Sequence, residues 1–365
     1  MVVFATTVFC LCFEKSPSDF AIGGIPTGSG ASFHPHKSLR LWKFCFYLGA
    51  LFSMLQAALY IRYFVAGGSY YDLYLLGRDP VGFPGLSFLS SLLFFGYLGV
   101  LTFSECPQEV STKWTIAFVF LSMLLLSRGR RGEIFTQILV GLWLHGFSKR
   151  KKLALKGWIG LGGTLVVIAE LVGRLRAGSI EVAKIPLPSL FKWFIFSQGV
   201  SGELVAPSYE QFGVGLGNVR FIVMPLLGPL RRIFDPAYGI QSARSGEASG
   251  LLADELTYRV APHFYLSGHG SGSSYLAETF CAFGIVGVVL STILITWLVR
   301  STPAYARKSP AVQFVFAAML PYLLFVPRES FSFFVVPALK AIGLLLFATL
   351  LKESSYQSNR SCADV

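Results

Sequence analysis

Charged residues are scarce in this sequence. Only 14% of its 365 residues are Asp, Glu, Lys or Arg, whereas about 25% is usual in a soluble domain. In contrast, 53% of the residues are hydrophobic, the mean hydropathy is +0.60, and the charges fall in short stretches between apolar runs. This pattern excludes a soluble domain and predicts an integral membrane protein. Lys and Arg outnumber Asp and Glu by 31 to 19, but their place between apolar runs indicates membrane topology, and no nucleic acid partner is expected.

Cysteine is sparse as well, and its positions exclude two kinds of site. None of the six cysteines lies in the long polar stretch 173–274, so neither a disulfide framework nor a metal knuckle is encoded. The sequence also lacks a Walker loop, a nucleophile elbow and a helix with two metal-binding histidines. We therefore expect no cofactor and a catalytic mechanism that needs no metal. The cysteines are Cys10, Cys12, Cys45, Cys106, Cys281 and Cys362.

Apolar segments predict an all-α, polytopic membrane helix bundle of about nine spans, because about 20 apolar residues of helix cross a bilayer. We interpret Met1–Phe13 as a truncated first span, since it lacks the basic start and the small-residue cleavage site of a signal peptide. The predicted organisation is N-terminal spans in 1–172, a large outer loop in 173–274, C-terminal spans in 275–351 and a cytoplasmic tail in 352–365. The other eight candidate spans are Leu41–Val65, Leu86–Phe103, Trp114–Ser127, Glu133–Phe147, Leu155–Val172, Tyr275–Val299, Ala311–Val326 and Phe331–Leu351.

Basic residues in short loops predict the orientation of these spans. The run Lys149–Lys152 marks one loop as cytoplasmic, and alternation along the chain places Arg307 and Lys308 on the same side. Residues 128–132, 173–274 and 327–330 are then expected on the outer side.

Arginine is concentrated on this outer side, where topology alone does not require it. Only Lys184 and Lys192 accompany the many outer arginines. A guanidinium presents a planar fork of donors that matches a phosphate group, so this distribution favours an anionic ligand outside the membrane. Ordinary ion pairing with the acidic residues of the long loop is the alternative.

The first candidate site is the turn Ser127–Glu133, with the sequence SRGRRGE, at the outer end of one predicted span and the start of the next. Its glycines allow a tight turn, and Arg128, Arg130 and Arg131 can bind an anion beside a helix N-terminus. A simple outer turn is the alternative, but the positive-inside rule disfavours three arginines there. We therefore predict that the three arginines bind a pyrophosphate.

The second candidate site is the glycine-serine run that leads into the span at Tyr275. Ser273 or Ser274 is predicted to cap this helix, and Glu278 lies about one turn inside, where an ionisable group is usually functional and usually paired with Arg. We predict a catalytic role for Glu278, with a structural ion pair as the alternative. His269 is a second candidate, since a neutral imidazole can remove a proton from a sugar hydroxyl. A merely solvated loop histidine is the alternative there.

Two further outer segments carry arginine. The turn Pro327–Ser330, with the sequence PRES, contributes Arg328, which either closes the anion site or pairs with Glu329. The apolar stretch Phe212–Phe234 is interrupted by Gly and Pro and carries Arg220 in the middle and Arg231 near its end. We predict that the outer loop, which is far too long for a connector, forms helices that lie on or dip into the outer face of the membrane.

The SRGRRGEI turn followed by KRKK, the long Arg-bearing loop that ends in GHGSGSSYLAETFCAFGIVGVVL, and the late PRES turn together resemble the O-antigen polysaccharide polymerases of the Wzy type, relatives of the O-antigen ligases. The resemblance covers roughly Trp114–Leu351. It implies a C-type glycosyltransferase-like fold in the bacterial inner membrane. It also implies transfer of a growing glycan from undecaprenyl pyrophosphate to the next lipid-linked repeat unit at the periplasmic face.

The resemblance also suggests roles for the candidate residues. It assigns pyrophosphate binding to Arg128, Arg130 or Arg131 together with Arg220, and it places the segment around His269 and Glu278 at the acceptor. A membrane protein that regulates chain length is a possible partner. The closest alternative function is an O-antigen ligase, which uses the same donor with a lipid A core acceptor. A lipid-linked oligosaccharide flippase is a second alternative, although the absence of an internal repeat and the presence of a long outer loop count against it.

Overall fold

The computed structural model describes residues 35–68, 85–104, 112–128, 131–148, 202–234 and 241–361, with a few single positions between 157 and 167. Every regular element in these ranges is a helix, as the apolar patterning predicts. The helices before the long loop are α1 (Pro35–Val65), α2 (Leu86–Phe103), α3 (Thr112–Leu124) and α4 (Arg131–Ser148). Those of the loop are α5 (Val205–Phe212), α6 (Arg220–Phe234), α7 (Ala243–Ala248), α8 (Leu252–Val260) and α9 (Pro262–Leu266). The last three are α10 (Tyr275–Ala306), α11 (Pro310–Phe325) and α12 (Val335–Ser361).

Four stretches of the described residues are helices long and apolar enough to cross a membrane. The predicted spans at Trp114–Ser127 and Phe331–Leu351 form shorter apolar helices, and Glu133–Phe147 lies within α4. The predicted spans Met1–Phe13 and Leu155–Val172 lie outside the described ranges, so a total of about nine spans stays a prediction. The four stretches are Leu39–Val65, Leu86–Phe103, Tyr275–Ala306 and Pro310–Arg328.

The core between the apolar helices is built on aromatic side chains and on glycines that let helices approach closely. A Cβ added at Gly49 of α1 would collide with the backbone of Leu93 in α2, and one at Gly96 of α2 would collide with the backbone of Phe46. Such contacts allow two antiparallel helices to pack at backbone distance. The neighbouring core is filled by buried rings such as Trp42, which packs against Phe314 of α11 with the ring centroids 4.6 Å apart.

The helices α4 and α11 run in opposite directions, and contacts at both ends define their alignment. At one end a Cβ on Gly132 would collide with the Phe325 ring, and the Tyr322 hydroxyl donates a 2.7 Å hydrogen bond to Glu133. At the other end the Arg307 guanidinium lies 5.6 Å from the centre of the Phe147 ring. The SRGRRGE and PRES turns therefore lie at one end of the bundle, and the basic residues after α10 lie at the opposite end.

The predicted span Tyr275–Val299 lies within the candidate span Tyr275–Ala306, but its helix is not continuous, because α10 is interrupted at Gly284. The Tyr275 hydroxyl lies 3.1 Å from the Thr292 Oγ1, although residues 17 apart are about 25 Å apart along a straight helix. Gly284 has φ +63° and ψ −152°, a conformation that is essentially restricted to glycine. The chain therefore reverses there, and Tyr275–Phe283 folds back against the helix that begins at Ile285.

The reversal leaves a backbone carbonyl outside the helix, and the long loop binds it. The Cys281 carbonyl accepts hydrogen bonds from the Gly215 N–H at 2.9 Å and from the Asn218 side chain at 3.1 Å. A small second core joins the same parts of the chain, with Ala277 of α10 packed among four residues of the loop. These four are Leu204, Phe221, Leu252 and Leu256. The loop helices are thereby fixed to the segment that carries Glu278.

Candidate functional site

The Glu278 carboxylate is buried at the end of the bundle where the two turns meet. Its residue is only 1% exposed. The Ser273 hydroxyl donates to Oε1 at 2.6 Å, while the Ser330 hydroxyl and the Phe331 N–H donate to Oε2 at 2.9 and 2.8 Å. The carboxylate thus joins the glycine-serine run to the PRES turn, two motifs that are about 50 residues apart in the sequence.

The expected helix cap is wrong. Ser274 occupies the N-cap position of α10, but its side chain makes no capping hydrogen bond, and the Ser273 hydroxyl binds Glu278 instead. A structural ion pair was the alternative to a catalytic role for Glu278. In the part of the chain that the structure describes, its partners are two hydroxyls and one backbone N–H, and it has no ion pair. The catalytic role of Glu278 stays a prediction.

Arg328 lies two residues before Ser330, in a short 3₁₀ helix at Val326–Arg328 that follows α11. It is half-buried, and among the described residues its guanidinium has no hydrogen bond or ion pair, although the Glu329 carboxylate acts on it electrostatically. A partly buried cation that makes no ion pair or hydrogen bond among the described residues is costly. The structure therefore leaves a cationic group beside the Glu278 junction, where an anion would be stabilised.

The three arginines of the SRGRRGE turn are only partly covered by the structure. Arg128 ends a 3₁₀ helix that begins at Leu125, and Arg131 begins α4. The side chains of both residues, and the whole of Arg130, lie outside the described residues. The contact between Gly132 and Phe325 places this turn next to the 3₁₀ helix that carries Arg328. Anion binding by the three arginines stays a prediction.

The structure brings Arg220 and Arg231 together at one pocket, as the sequence alone did not show. The pocket has a volume of about 420 Å³, and both arginines line it. Arg220 donates a 2.7 Å hydrogen bond to the buried Glu255 carboxylate, and Arg231 donates to the Ser249 carbonyl at 2.8 Å. For Arg220, the structure thus shows the ion pair with an acidic residue of the long loop that was the alternative to binding an anionic ligand. The remaining lining residues are Met224, Leu227, Ala248 and Gly250.

His269 lies in the glycine-serine run but has different neighbours from Glu278. Its ring stacks on Phe264 with centroids 4.4 Å apart, and its Nδ1 lies 3.0 Å from the Ser267 hydroxyl. The backbone around it needs glycine, because Gly268 and Gly272 have φ angles of +89° and +78°. The structure therefore holds His269 against a partly exposed aromatic ring, and its catalytic role remains a prediction.

Asp254 in α8 is an acid of the loop whose acidity is altered by burial. Burial raises the pKa of its carboxyl to about 6, and the Glu255 charge adds to this rise, while the nearby Tyr265 and Ser249 hydroxyls oppose it. Both acids belong to the first turn of α8, where a helix N-terminus favours negative charge. The helix that supplies Glu255, the partner of Arg220, thus carries a second, half-buried carboxyl group at the adjacent position.

The sequence reasoning missed three of these contacts. Ser330 was part of the PRES turn but had no assigned role, and Glu255 had none either. The lining of the pocket, in contrast, could have been predicted from the sequence, because residues 220, 224, 227 and 231 recur at helical spacing and therefore share one face of α6.

In the described ranges, no group of three or more His, Cys, Asp or Glu side chains is arranged to hold a metal ion.

This arrangement of a bundle, a long helical loop and three converging motifs agrees with one protein family. The family described as O-antigen polysaccharide polymerase Wzy matches residues 32–359. The chain belongs to the Wzy O-antigen polymerase family. Wzy proteins are multi-pass membrane enzymes of the glycosyltransferase type that polymerise polysaccharide in O-antigen synthesis, and they act on lipid-linked oligosaccharide repeat units. No curated protein and no solved structure matches this Wzy chain.

Proposed function

We propose that this Wzy chain transfers a growing glycan from undecaprenyl pyrophosphate to the next lipid-linked repeat unit at the periplasmic face of the bacterial inner membrane. The observation that carries the proposal is the junction of Glu278 with Ser273 and Ser330, which lies beside Arg328, a half-buried cation that makes no ion pair among the described residues. A glycosyl transfer of this kind needs a group that accepts a proton and a cation that stabilises the departing diphosphate. Both types of group meet at this junction.

The reaction exchanges one bond for another at the anomeric carbon of the donor. The bond between this carbon and the pyrophosphate oxygen breaks, and the pyrophosphate leaves with the electron pair. The acceptor hydroxyl oxygen forms the new bond to the carbon and releases its proton. Arg328, with the arginines of the SRGRRGE turn, stabilises the charge on the leaving pyrophosphate. We propose a metal-independent reaction because a diphosphate is already a good leaving group.

The acceptor proton reaches Glu278 through Ser273. Glu278 is too enclosed to touch a sugar directly, whereas Ser273 is only half-buried and its hydroxyl donates to the carboxylate at 2.6 Å. Ser273 can therefore take the proton from the acceptor hydroxyl while it passes its own proton to Glu278.

Substitution of Ser273 tests this relay. Ser273→Ala removes the hydroxyl and should lower polymerisation by about 100-fold or more, the usual contribution of acid-base help. Ser273→Thr keeps the hydroxyl and should restore most of the activity at equal membrane abundance. Equal activity of the Ala and wild-type proteins would exclude the relay.

The surface glycan of a deletion strain separates the polymerase from the alternative functions. Loss of a polymerase leaves lipid A core that carries a single repeat unit. Loss of a ligase leaves bare core with long lipid-linked chains, and loss of a flippase traps repeat units on the cytoplasmic face. We expect the first result. In the strain that keeps the chain, we expect a glycan length distribution that depends on a separate regulatory membrane protein. Bare core with accumulated long chains would replace the proposal with a ligase.

A further inference from the structure

A polymerase of lipid-linked repeat units handles two diphosphates in each reaction. The donor loses its pyrophosphate, but the acceptor keeps one at its reducing end. The hydroxyl that reacts is on a different sugar of the acceptor, so the acceptor's pyrophosphate lies away from the reacting centre by the length of the intervening sugars. A protein that performs this reaction therefore benefits from two separate anion sites, one of them at a distance from the catalytic junction.

The pocket of about 420 Å³ on α6 has the composition of a site for a lipid diphosphate. Arg220 and Arg231 lie near the two ends of one helix face, with Met224 and Leu227 between them. Guanidinium groups bind diphosphate oxygens, and the apolar side chains between them suit the first part of a prenyl chain. A pocket for a free, fully hydrated anion would not need this apolar floor.

The walls of the pocket hold both guanidinium groups in place. The Ser249 carbonyl accepts a hydrogen bond from Arg231, and the buried Glu255 accepts one from Arg220 while its other oxygen binds the Gly250 N–H at 2.9 Å. Gly250 has φ +75°, and a Cβ there would lie 2.5 Å from the Met224 Cγ. The loop between α7 and α8 thus approaches α6 so closely that only glycine fits.

The pocket and the Glu278 junction are connected but lie at different places. The Ser332 hydroxyl, two residues after Ser330, donates a 2.5 Å hydrogen bond to the Ile222 carbonyl at the start of α6. Arg231 lies nine residues beyond Ile222, or about 13 Å along the helix axis. Arg328 does not line the pocket. The structure therefore offers two arginine sites, one beside Glu278 and one that begins with Arg220 at the near end of α6 and extends along the helix to Arg231.

We infer that the pocket between Arg220 and Arg231 binds the lipid pyrophosphate of the acceptor, whereas Arg328 at the Glu278 junction acts on the pyrophosphate of the donor. The inference rests on the proposed polymerase function, because a ligase has only one undecaprenyl pyrophosphate substrate. It gives the long outer loop a specific task, which is to hold the incoming repeat unit by its lipid end.

The test compares a charged and a neutral acceptor, which differ in the group that links the repeat unit to the lipid. It uses the purified full-length chain in lipid vesicles. The donor carries a methylated acceptor hydroxyl, so it cannot act as acceptor. Two acceptors are used. In the first, the repeat unit is linked to the lipid through a pyrophosphate, with a methylene in place of the anomeric oxygen so that the molecule cannot act as donor. In the second, the repeat unit is linked to the lipid through a neutral glycosidic bond. For the wild-type protein, we expect the KM for the pyrophosphate acceptor to be at least about tenfold lower than the KM for the neutral acceptor, since charge-assisted hydrogen bonds are strong.

Variants then locate this preference in the protein. Arg231→Ala and Arg231→Gln should raise the KM for the pyrophosphate acceptor to that of the neutral acceptor. Arg328→Ala should instead lower kcat with both acceptors. Arg259→Ala is the matched control, because this guanidinium packs over the Phe212 ring, outside the pocket, and should leave both parameters unchanged.

Each outcome decides one of the two proposals. Wild-type transfer without any preference for the charged acceptor, or a preference that survives in both Arg231 variants, would overturn the pocket assignment but leave the polymerase intact. No transfer to either acceptor would overturn the polymerase itself. The comparison of acceptors on the wild-type protein remains decisive even where an Arg231 variant does not fold.

Discussion

Glu278 illustrates how a buried carboxylate can be tolerated without an ion pair among the residues that the structure describes. Two hydroxyls and one backbone N–H donate to it, and hydrogen bonds to the charged form offset part of the cost of burial. All three donors come from the two loops that meet at the site. The same hydrogen bonds therefore hold the charge and align the loops.

Glu278→Gln should fold but not polymerise. The Gln carbonyl oxygen can accept from Ser330 and Phe331, and its amide N–H can donate to the Ser273 oxygen, so every buried polar group keeps a partner. Because an amide cannot accept the proton, we expect membrane abundance near wild type and a loss of glycan synthesis of about 100-fold or more. Immunoblots and glycan ladders measure the two quantities together.

Two comparisons control this prediction. Glu247→Gln changes an exposed acid of α7 and should preserve both abundance and ladders. A stable and fully active Glu278→Gln variant would exclude the catalytic role. An inactive but abundant His269→Ala protein in the same assay would transfer the role of base to the histidine.

Asp254 should make the folded loop less stable above its own pKa. Its folded pKa of about 6 lies above the value of about 4 for an unfolded Asp, so the folded state binds the proton more tightly and stability falls as the pH rises from about 4 to about 6. Asp254→Asn removes this dependence and should stabilise the protein by roughly 2 kcal/mol at pH 7 to 8.

Thermal unfolding of the wild-type and Asp254→Asn proteins in detergent at pH 4.5 and pH 7.5 tests the predicted direction of the pH dependence. The variant should have the higher Tm at pH 7.5, and the difference should shrink at pH 4.5. A variant that is less stable than wild type at pH 7.5 would show that the carboxylate makes a favourable interaction in its charged form.

At the scale of elements, the reversal at Gly284 decides where Glu278 lies. A straight α10 would carry Thr279 about 18 Å from Ser291, but the two hydroxyl oxygens are 3.3 Å apart. A Cβ at Gly287 would also collide with the Thr279 carbonyl, so the two arms of the reversal pack at backbone distance. The fold-back presents Glu278 to the PRES turn instead of to lipid.

Gly284→Ala should therefore disrupt the site more than an ordinary glycine substitution does. The conformation at Gly284 disfavours any Cβ, with a cost of order 1–3 kcal/mol. We expect reduced membrane abundance and loss of glycan ladders. Gly343→Ala in α12 is the matched control, because a Cβ there meets no atom within 4 Å, and it should behave like wild type.

An oxidative cross-link reports the reversal directly. Cysteines placed at Thr279 and Ser291 should form an intrachain disulfide in the wild-type background, and the yield should fall when Gly284→Ala is added. A cross-link that is absent from the wild-type background would contradict the fold-back.

At the scale of the whole molecule, the contacts at the two ends of α4 and α11 agree with the predicted alternation of the spans. The SRGRRGE and PRES turns meet at one end, and Arg307 meets Phe147 at the other. The positive-inside rule then predicts that the end with Arg307 is cytoplasmic. The Glu278 junction would consequently open to the periplasm.

Thiol labelling tests this orientation. A cysteine at Gly217, which is exposed and has open space around it, should react with an impermeant reagent in cells whose outer membrane is permeabilised, in a chain without its native cysteines. Lys308→Cys should react only after the inner membrane is lysed. Gly132 is unsuitable for this purpose, because any side chain there collides with Phe325. Reversed labelling of the two positions would place the junction in the cytoplasm.

The sequence by itself determined the class of the protein, the positions of most helices and the three motifs of the site. These properties depend on hydropathy and on residues that are close together in the chain, so a local pattern is enough to predict them. The predicted bounds of α2, Leu86–Phe103, agree with the structure residue for residue because its whole length is apolar.

Only the tertiary structure decided which distant residues meet. Glu278 binds Ser330 from 52 residues away, and Arg220 binds Glu255 from 35 residues away. Gly284 permits a reversal but does not require one, since glycine also occurs inside ordinary helices, and it is the packing of Thr279 against Ser291 that selects the folded-back form. Contacts of this kind depend on the free energy of the whole packed chain, which no local stretch of sequence contains.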